Sequence, residues 1–236
     1  MSSPTLDHDR LKSNLEAVQS RIASACDRSG RPAGAAKLVA VTKMVPADWA
    51  LALVTLGQYE LGENYPQELW RKVEVVPSPP AHWHLIGHLQ SNKAKKTYPL
   101  VSRVHAIDSL KLLGVFNELA TGLTTPGAVC LQVNCSGEDS KHGWSPEQIL
   151  EDAEAIAALQ SVPVVGLMTM AAQGTSAEEA RPAFVKLREI RDQLETRTGM
   201  RLPELSMGMS NDYDVAIEEG STWVRVGSAL FEGVGA

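Results

Sequence analysis

Short apolar runs alternate with longer stretches of helical periodicity along almost the whole chain. The apolar runs are four to seven residues long and predict eight strands, at 38–42, 59–62, 83–86, 103–107, 128–134, 163–169, 204–207 and 222–226. The stretches between them predict seven connecting helices, near 46–56, 65–75, 89–97, 109–121, 145–160, 176–198 and 211–219. Two of these helices begin at serines typical of N-caps, Ser145 and Ser176.

Strands that are joined by helices run parallel, because a hairpin joins only antiparallel strands. Two architectures fit this order, an open doubly wound sheet and a closed (β/α)8 TIM barrel, and the count of eight strands favours the barrel. A further helix precedes the first strand, and its apolar positions share one face: Leu11, Leu15, Val18 and Ile22. We therefore predict a single α/β domain over 1–236, in which the helix within 1–31 packs on the barrel.

Composition and charge narrow the function classes. The chain has 236 residues and a net charge of −6, which argues against a nucleic-acid partner because phosphate binding needs an excess of Lys and Arg. Its three cysteines, Cys26, Cys130 and Cys135, form no CxxC motif and are typical of free thiols in a reducing compartment. No apolar run approaches the roughly 20 residues that span a bilayer, and the polar N-terminus does not resemble a signal peptide. We expect a cytoplasmic protein without a membrane partner.

Barrel active sites lie at the carboxyl ends of the strands, with phosphate often bound after strands 7 and 8. The first predicted strand is followed by Lys43, which is either a solvated strand end or an amine held for chemistry. After the seventh and eighth strands, Gly208 with Ser210 and Gly227 with Ser228 precede helices. Backbone N–H groups and a hydroxyl at such turns bind anions. Together the two turns predict a phosphate site.

A lysine opposite a phosphate site can hold a phosphorylated carbonyl compound as a Schiff base. The compound could be a sugar phosphate, as in a Schiff-base aldolase, or pyridoxal 5'-phosphate (PLP). Arg225, shortly before the second phosphate turn, favours PLP. A guanidinium that faces the pyridine nitrogen would keep that nitrogen unprotonated and weaken the ring as an electron sink.

Six sequence blocks, in order between 37 and 231, carry a family resemblance: "AVTKMVPA", "LGENYPQE", "WHLIGHLQSNKAKK", "GLMTMA", "LSMGMSNDYDVAI" and "VRVGSALF". The chain resembles the pyridoxal phosphate homeostasis proteins, which are relatives of the alanine racemase barrel. The resemblance implies a fold-type III PLP barrel without the C-terminal β domain, in which Lys43 carries PLP as an internal aldimine. It implies these cofactor-binding residues: Lys43, Asn64, His84, Met209, Ser210, Arg225, Gly227 and Ser228.

The resemblance also implies a function. Members of the family bind PLP, buffer it within the cell and deliver it, so PLP-dependent apoenzymes are the expected partners and no robust catalysis is expected. The alternative is a weak amino-acid racemase. Racemases have a tyrosine four residues after the lysine, where this chain has Ala47. They also have a second, all-β domain that supplies a catalytic tyrosine across a dimer, and we expect this chain to lack it. Because racemisation needs an acid or base on each face of the substrate, we predict a carrier, and a monomer.

Two other groups of residues could have a function. His82, His84 and His88 resemble a metal set, but without a fourth ligand or an HExxH motif they are weak evidence, and we predict no metal. A basic cluster on one predicted helix, within 92–96, consists of Lys93, Lys95 and Lys96. This cluster is either a solvated face or a docking surface for an anion or a protein.

Overall fold

The computed structural model describes residues 5–138 and 142–235, so residues 1–4 of the predicted N-terminal segment and Ala236 lie outside the described residues. Eight parallel strands close into a barrel in chain order, which confirms the predicted fold class. The strands are β1 (Lys37–Val41), β2 (Glu60–Glu63), β3 (His82–Leu85), β4 (Arg103–Ile107), β5 (Ala128–Gln132), β6 (Val164–Met168), β7 (Glu204–Ser206) and β8 (Trp223–Val226). The barrel closes where β8 pairs with β1, with Lys37 opposite Trp223 and Ala40 opposite Val226.

Helices surround the barrel and bury the outward-facing apolar side chains of the strands. They are α1 (His8–Arg28), α2 (Ala47–Thr55), α3 (Pro66–Val75), α4 (Ser91–Thr97), α5 (Leu110–Ala120), α6 (Pro146–Glu151), α7 (Ala153–Ala157), α8 (Ala177–Thr198), α9 (Tyr213–Glu218) and α10 (Ser228–Phe231). Ser145 and Ser176 each form a capping box, which confirms both predicted helix starts. None of these described helices is long and apolar enough to cross a membrane.

Most predicted elements agree with the structure to within one or two residues at each end, and two of the differences involve Trp144. The helix predicted over 145–160 is divided into α6 and α7 at Asp152, whose carboxylate accepts a hydrogen bond from the indole of Trp144 (2.8 Å). The strand predicted over 128–134 ends at Gln132. Val133 and Asn134 leave the strand because they pair with Trp144, and the Asn134 N–H donates to the Trp144 carbonyl (2.8 Å).

Helix α1 lies against α9 and α10, on the outside of the barrel where the chain returns to β1. The Asn14 side chain fixes this contact, since its amide donates to the carbonyls of Leu230 (3.0 Å) and Glu232 (2.9 Å). Arg21 adds an ion pair with Asp214 on α9 (2.9 Å). The helix therefore supports the two short helices that follow the last strands of the barrel.

The amino-terminal end of the barrel interior is filled by charged and aromatic side chains, which we call the barrel floor: Lys37, Arg103, Glu204 and Trp223. Arg103 on β4 reaches across the barrel to Glu204 on β7 with two hydrogen bonds of 2.8 and 2.6 Å. The guanidinium of Arg103 and the amine of Lys37 lie over the Trp223 ring, at 4.6 and 5.1 Å from its centroid. The floor closes the end of the barrel opposite the loops where barrel active sites lie.

Candidate functional site

A cavity of about 670 Å³ opens among the loops at the carboxyl ends of the strands. Its volume lies within the usual range for small-molecule sites. Seven of the eight predicted cofactor residues line it: Lys43, Asn64, Met209, Ser210, Arg225, Gly227 and Ser228. The fold therefore brings these residues, which are far apart in the sequence, to one cavity.

Lys43 and Asn64 directly follow a buried group of polar residues that joins the ends of β1 and β2. The hydroxyl of Thr42 donates to Oε1 of Glu63 (2.6 Å). The amine of Lys72, from α3, donates both to the Thr42 carbonyl (2.6 Å) and to Glu63. Thr42 and Glu63 are fully buried, whereas Lys43 is exposed at the cavity. The base of the Lys43 side chain is thus fixed while its amine can reach a ligand.

Arg225 provides a buried positive charge in the wall of the cavity. Its guanidinium donates to two neutral acceptors, the hydroxyl of Ser206 and the carbonyl of Thr169 (3.0 Å). Burial lowers the pKa of Arg225 to about 10, so the guanidinium remains charged at neutral pH. A fixed donor that cannot accept a proton suits a ligand atom that only accepts hydrogen bonds.

The loop after β7 presents Ser210 to the cavity through a tight turn. Gly208 has a φ of +94°, and a Cβ at this position would lie 2.6 Å from the Cβ of Ala216, so the turn requires glycine. The Asp212 carboxylate accepts a hydrogen bond from the Met209 N–H (2.6 Å) and makes no side-chain cap to α9. The turn is therefore held by its own residues. Ser228, after β8, supplies a second hydroxyl to the same cavity.

His84 is fully buried inside the barrel and is not among the residues that line the cavity. Its Nε2 lies 2.7 Å from Glu60 Oε2, and its Nδ1 lies 2.8 Å from Nε2 of His105. Nδ1 of His105 is in turn 2.6 Å from the hydroxyl of Ser206, which also accepts from Arg225. His84 is thus connected to the cavity through three other side chains.

Burial lowers the pKa of His84 and holds the pKa of His105 well below its usual range. Burial alone would raise the pKa of Glu60, but hydrogen bonds from His84 and His82 outweigh it and hold that pKa at about 2. Inside the barrel, the carboxylate is therefore ionised and both buried imidazoles are neutral near pH 7.

Sequence reasoning missed several residues of this region. The loop that follows β6, residues 170–175, lines one side of the cavity; its first two residues belong to the block "GLMTMA", but the prediction gives none of the six a role. The rule that barrel sites form from all strand ends would have found it. Glu60, His105 and Ser206 were also missed. A pattern was present for His105, because Arg103 and His105 share one face of β4 among apolar neighbours.

Comparison with known proteins identifies the family. Residues 6–234 match the family described as "Alanine racemase, N-terminal domain". The pyridoxal phosphate homeostasis protein of Aquifex aeolicus is 40% identical over 92% of this chain and 95% of its own length. The corresponding mouse protein is 40% identical over 92% of this chain and 84% of its own length. The chain belongs to the pyridoxal phosphate homeostasis protein family. PipY of Synechococcus elongatus, solved with PLP bound, is 34% identical with a TM-score of 0.81, over 94% of this chain and 99% of PipY.

In this member of the pyridoxal phosphate homeostasis family, the histidines considered as a metal set are separated. His82 contacts Glu60 at the amino-terminal end of the barrel, whereas the exposed His88 hydrogen-bonds Asp108 (2.7 Å) and stacks on His142. The ligand atoms of His88, Asp108 and His142 lie within 4.8 Å of one another. The His88–Asp108 hydrogen bond and the stacking of His88 on His142 explain why these three side chains lie close together.

The cysteines are free, as predicted. Burial raises the pKa of Cys130 to about 12 and the pKa of Cys135 to about 11, so both thiols are protonated at neutral pH. In the lysine cluster at 92–96, the Lys96 amine lies 4.0 Å from the centroid of the Trp70 ring. Neither group belongs to the cavity.

Proposed function

We propose that this protein binds PLP through a Schiff base with Lys43, carries it in intracellular PLP homeostasis and delivers it to PLP-dependent apoenzymes. One observation carries the proposal: the Lys43 amine, the Arg225 guanidinium and the hydroxyls of Ser210 and Ser228 line one cavity of about 670 Å³. The names of the relatives and the PLP in PipY support the same cofactor.

Each end of PLP has a chemically suited group in the cavity. PLP supplies an aldehyde that condenses with amines. The Lys43 amine is the nucleophile available to it. The hydroxyls of Ser210 and Ser228, at two turns of the backbone in the cavity lining, would donate to phosphate oxygens. Arg225 would donate to the pyridine nitrogen and keep a proton off it, which suits storage of the cofactor better than catalysis on its ring.

The lining of the cavity also favours a carrier over a racemase. Besides Arg225, the ionisable side chains among the described lining residues are Lys43 and Asp212. The Asp212 carboxylate is engaged by the Met209 N–H. Racemisation needs a second acid or base on the face of the substrate opposite the lysine. Lys43 alone can form the Schiff base, but it cannot serve both faces.

The experiment is an absorbance spectrum with and without added PLP, repeated after borohydride. We expect a yellow band in the wild type that borohydride removes, leaving PLP fixed to the protein, and no such band in Lys43→Ala. The matched control is Lys37→Ala, since Lys37 is the first residue of β1, on the barrel floor, whereas Lys43 follows the carboxyl end of that strand. Covalent PLP at full stoichiometry in Lys43→Ala would show that the site is wrong. Efficient turnover of D- or L-alanine by the wild type would favour the racemase.

A further inference from the structure

A single file of polar side chains crosses the barrel interior from its amino-terminal end to the cavity. We call it the relay, and its members in order are Glu60, His84, His105, Ser206 and Arg225. They come from β2, β3, β4, β7 and β8. Adjacent members are hydrogen-bonded: Glu60 to His84 (2.7 Å), His84 to His105 (2.8 Å), His105 to Ser206 (2.6 Å), and Ser206 to Arg225.

The two ends of the relay, together with the neutral state of its two buried imidazoles, fix the direction of every hydrogen bond in it. A guanidinium only donates and a carboxylate only accepts. Nε2–H of His84 therefore donates to Glu60, and Nδ1 of the neutral His84 accepts from Nε2–H of His105. Nδ1 of the neutral His105 then accepts from the Ser206 hydroxyl, whose oxygen accepts from Arg225. Both neutral histidines are thereby Nε2–H tautomers, and each imidazole nitrogen has a partner.

The length of the relay has an electrostatic consequence. A carboxylate in direct contact with Arg225 would fix the guanidinium but would also cancel its charge in the cavity. Here the contacts of Arg225 are a hydroxyl and a carbonyl, and the carboxylate of Glu60 lies three side chains away. Packing helps to hold the intervening imidazoles, because the His84 ring lies 5.1 Å from the rings of His105 and Trp223. The guanidinium is thus held by hydrogen bonds to neutral groups, while the Asp212 carboxylate in the same lining acts on it only through space.

We propose that Ser206, His105, His84 and Glu60 are positioning residues, which hold Arg225 in the orientation that donates to an unprotonated aromatic ring nitrogen of the ligand. The inference rests on the proposed function, because PLP is the ligand with such a nitrogen. It assigns a role to His84 and adds three residues that do not line the cavity. Loss of any link weakens the hold on the Arg225 guanidinium, which then keeps the Thr169 carbonyl as its hydrogen-bond partner, and leaves the imidazoles free to change tautomer.

The variant Ser206→Ala removes the relay member in contact with Arg225, and Ser221→Ala is its matched control. Ser221 is a second fully buried serine beside β7 and β8, and its hydroxyl lies within hydrogen-bond distance of three carbonyls outside the relay, of which Met207 is the nearest (2.8 Å). We expect Ser206→Ala to raise the Kd for PLP about tenfold, as for loss of a hydrogen bond to a charged group. We also expect it to shift the ¹⁵N resonance of the ring nitrogen of labelled PLP. Ser221→Ala should leave the Kd and this resonance at their wild-type values.

A second measurement does not depend on PLP. The ¹⁵N resonances of the imidazoles in the wild-type protein without ligand should report two neutral Nε2–H histidines at pH 7, assigned with His84→Gln and His105→Gln. If Ser206→Ala does not fold, Glu60→Gln replaces it, since Glu60 is partly exposed and Gln retains its shape. We expect Glu60→Gln to shift the PLP ring-nitrogen resonance in the same direction by a smaller amount.

The outcomes separate the relay from the proposed function. A charged or Nδ1–H histidine at either position would overturn the relay, and so would a Ser206→Ala protein that binds PLP with the Kd and ring-nitrogen resonance of the wild type. A wild type that binds no PLP would overturn the proposed function and the positioning role with it. In that case the imidazole resonances would still decide whether the hydrogen-bond chain exists.

Discussion

Lys72 and Glu63 form a buried ion pair beside Thr42, at the ends of β1 and β2. The Lys72 side chain is 2% exposed and the Glu63 side chain 0% exposed, and Glu63 Oε2 has no hydrogen-bond partner among the described residues. Such a pair contributes little net stability over an apolar pair of the same volume, but each partner depends strongly on the other. Its role at the ends of β1 and β2 is to fix the backbone that carries Lys43.

Replacing Lys72 alone should be costly. We expect Lys72→Met to lower the free energy of unfolding by about 3–5 kcal/mol, because it leaves the Glu63 carboxylate buried without a counter-charge. The double variant Glu63→Leu/Lys72→Met should recover most of this loss. Urea unfolding measures both, and Lys95→Met on the exposed face of α4 should stay within about 0.5 kcal/mol of the wild type. A double variant no more stable than Lys72→Met would contradict the ion-pair account.

Single residues also show how far the sequence could predict the site. Lys43, Ser210 and Arg225 could be found because they lie at strand ends, where the barrel rule directs attention and the motifs are distinctive. Glu60 and Ser206 could not, since a polar residue at the end of a short strand is common and the partners of both come from other strands. Their hydrogen bonds exist only once the barrel closes and the strand registers are set.

Among the elements, β6 and β7 are held by a close approach that only glycine permits. Gly166 on β6 is paired with Glu204 on β7, and a Cβ at position 166 would lie 1.9 Å from the Glu204 carbonyl oxygen. Gly114, in contrast, has open space where a side chain would lie. It lies inside helix α5, and a Cβ there would have no heavy atom within 4 Å.

The same substitution should therefore have opposite effects at these two positions. We expect Gly166→Ala to lower the free energy of unfolding by about 2–3 kcal/mol or to prevent folding, because β6 and β7 would be forced apart. Gly114→Ala should raise it by about 0.5–1 kcal/mol, because alanine loses less backbone entropy in a helix. Thermal or urea unfolding of the two purified variants measures both, and effects of the same sign would contradict the packing described.

Element types could be predicted better than element ends. Alternating apolar runs and capping serines gave the order of strands and helices, because these signals are local. The break between α6 and α7 and the early end of β5 could not be predicted, since both depend on Trp144. That residue binds Asp152 through its side chain and the strand end through its backbone. Such competition between tertiary contacts and local periodicity is invisible in a pattern of residue types.

For the molecule as a whole, the polar barrel interior couples stability to pH. His84 and His105 are buried with lowered pKa values, so below pH 6.5 the unfolded chain takes up protons that the folded chain does not. Glu60 affects stability in a lower pH range, since its pKa in the folded protein is about 2, compared with an ordinary value of 4.5. Its contribution is present above pH 4.5 and is lost as the pH falls towards 2. Both effects make the fold less stable in acid.

The histidine effect can be isolated with His105→Gln. Each histidine that stays neutral in the folded state removes up to about 1.4 kcal/mol of unfolding free energy per pH unit below its unfolded pKa. We expect the variant to lose stability between pH 6 and pH 5 with a slope smaller than that of the wild type by about this amount. Urea unfolding at several pH values gives the slopes. Equal slopes would mean that His105 is protonated in the folded protein.

The barrel floor determines from which end of the barrel a ligand can reach the cavity. Arg103, Glu204 and Trp223 fill the end of the barrel away from the cavity, whereas the lining residue Met44 and Tyr65, which follows the lining residue Asn64, are 84% and 57% exposed. The cavity is therefore reached from the side of the strand-end loops. For the PLP carrier proposed above, the cofactor would enter and leave on that same side. Loading and transfer to an apoenzyme would then have to follow one another.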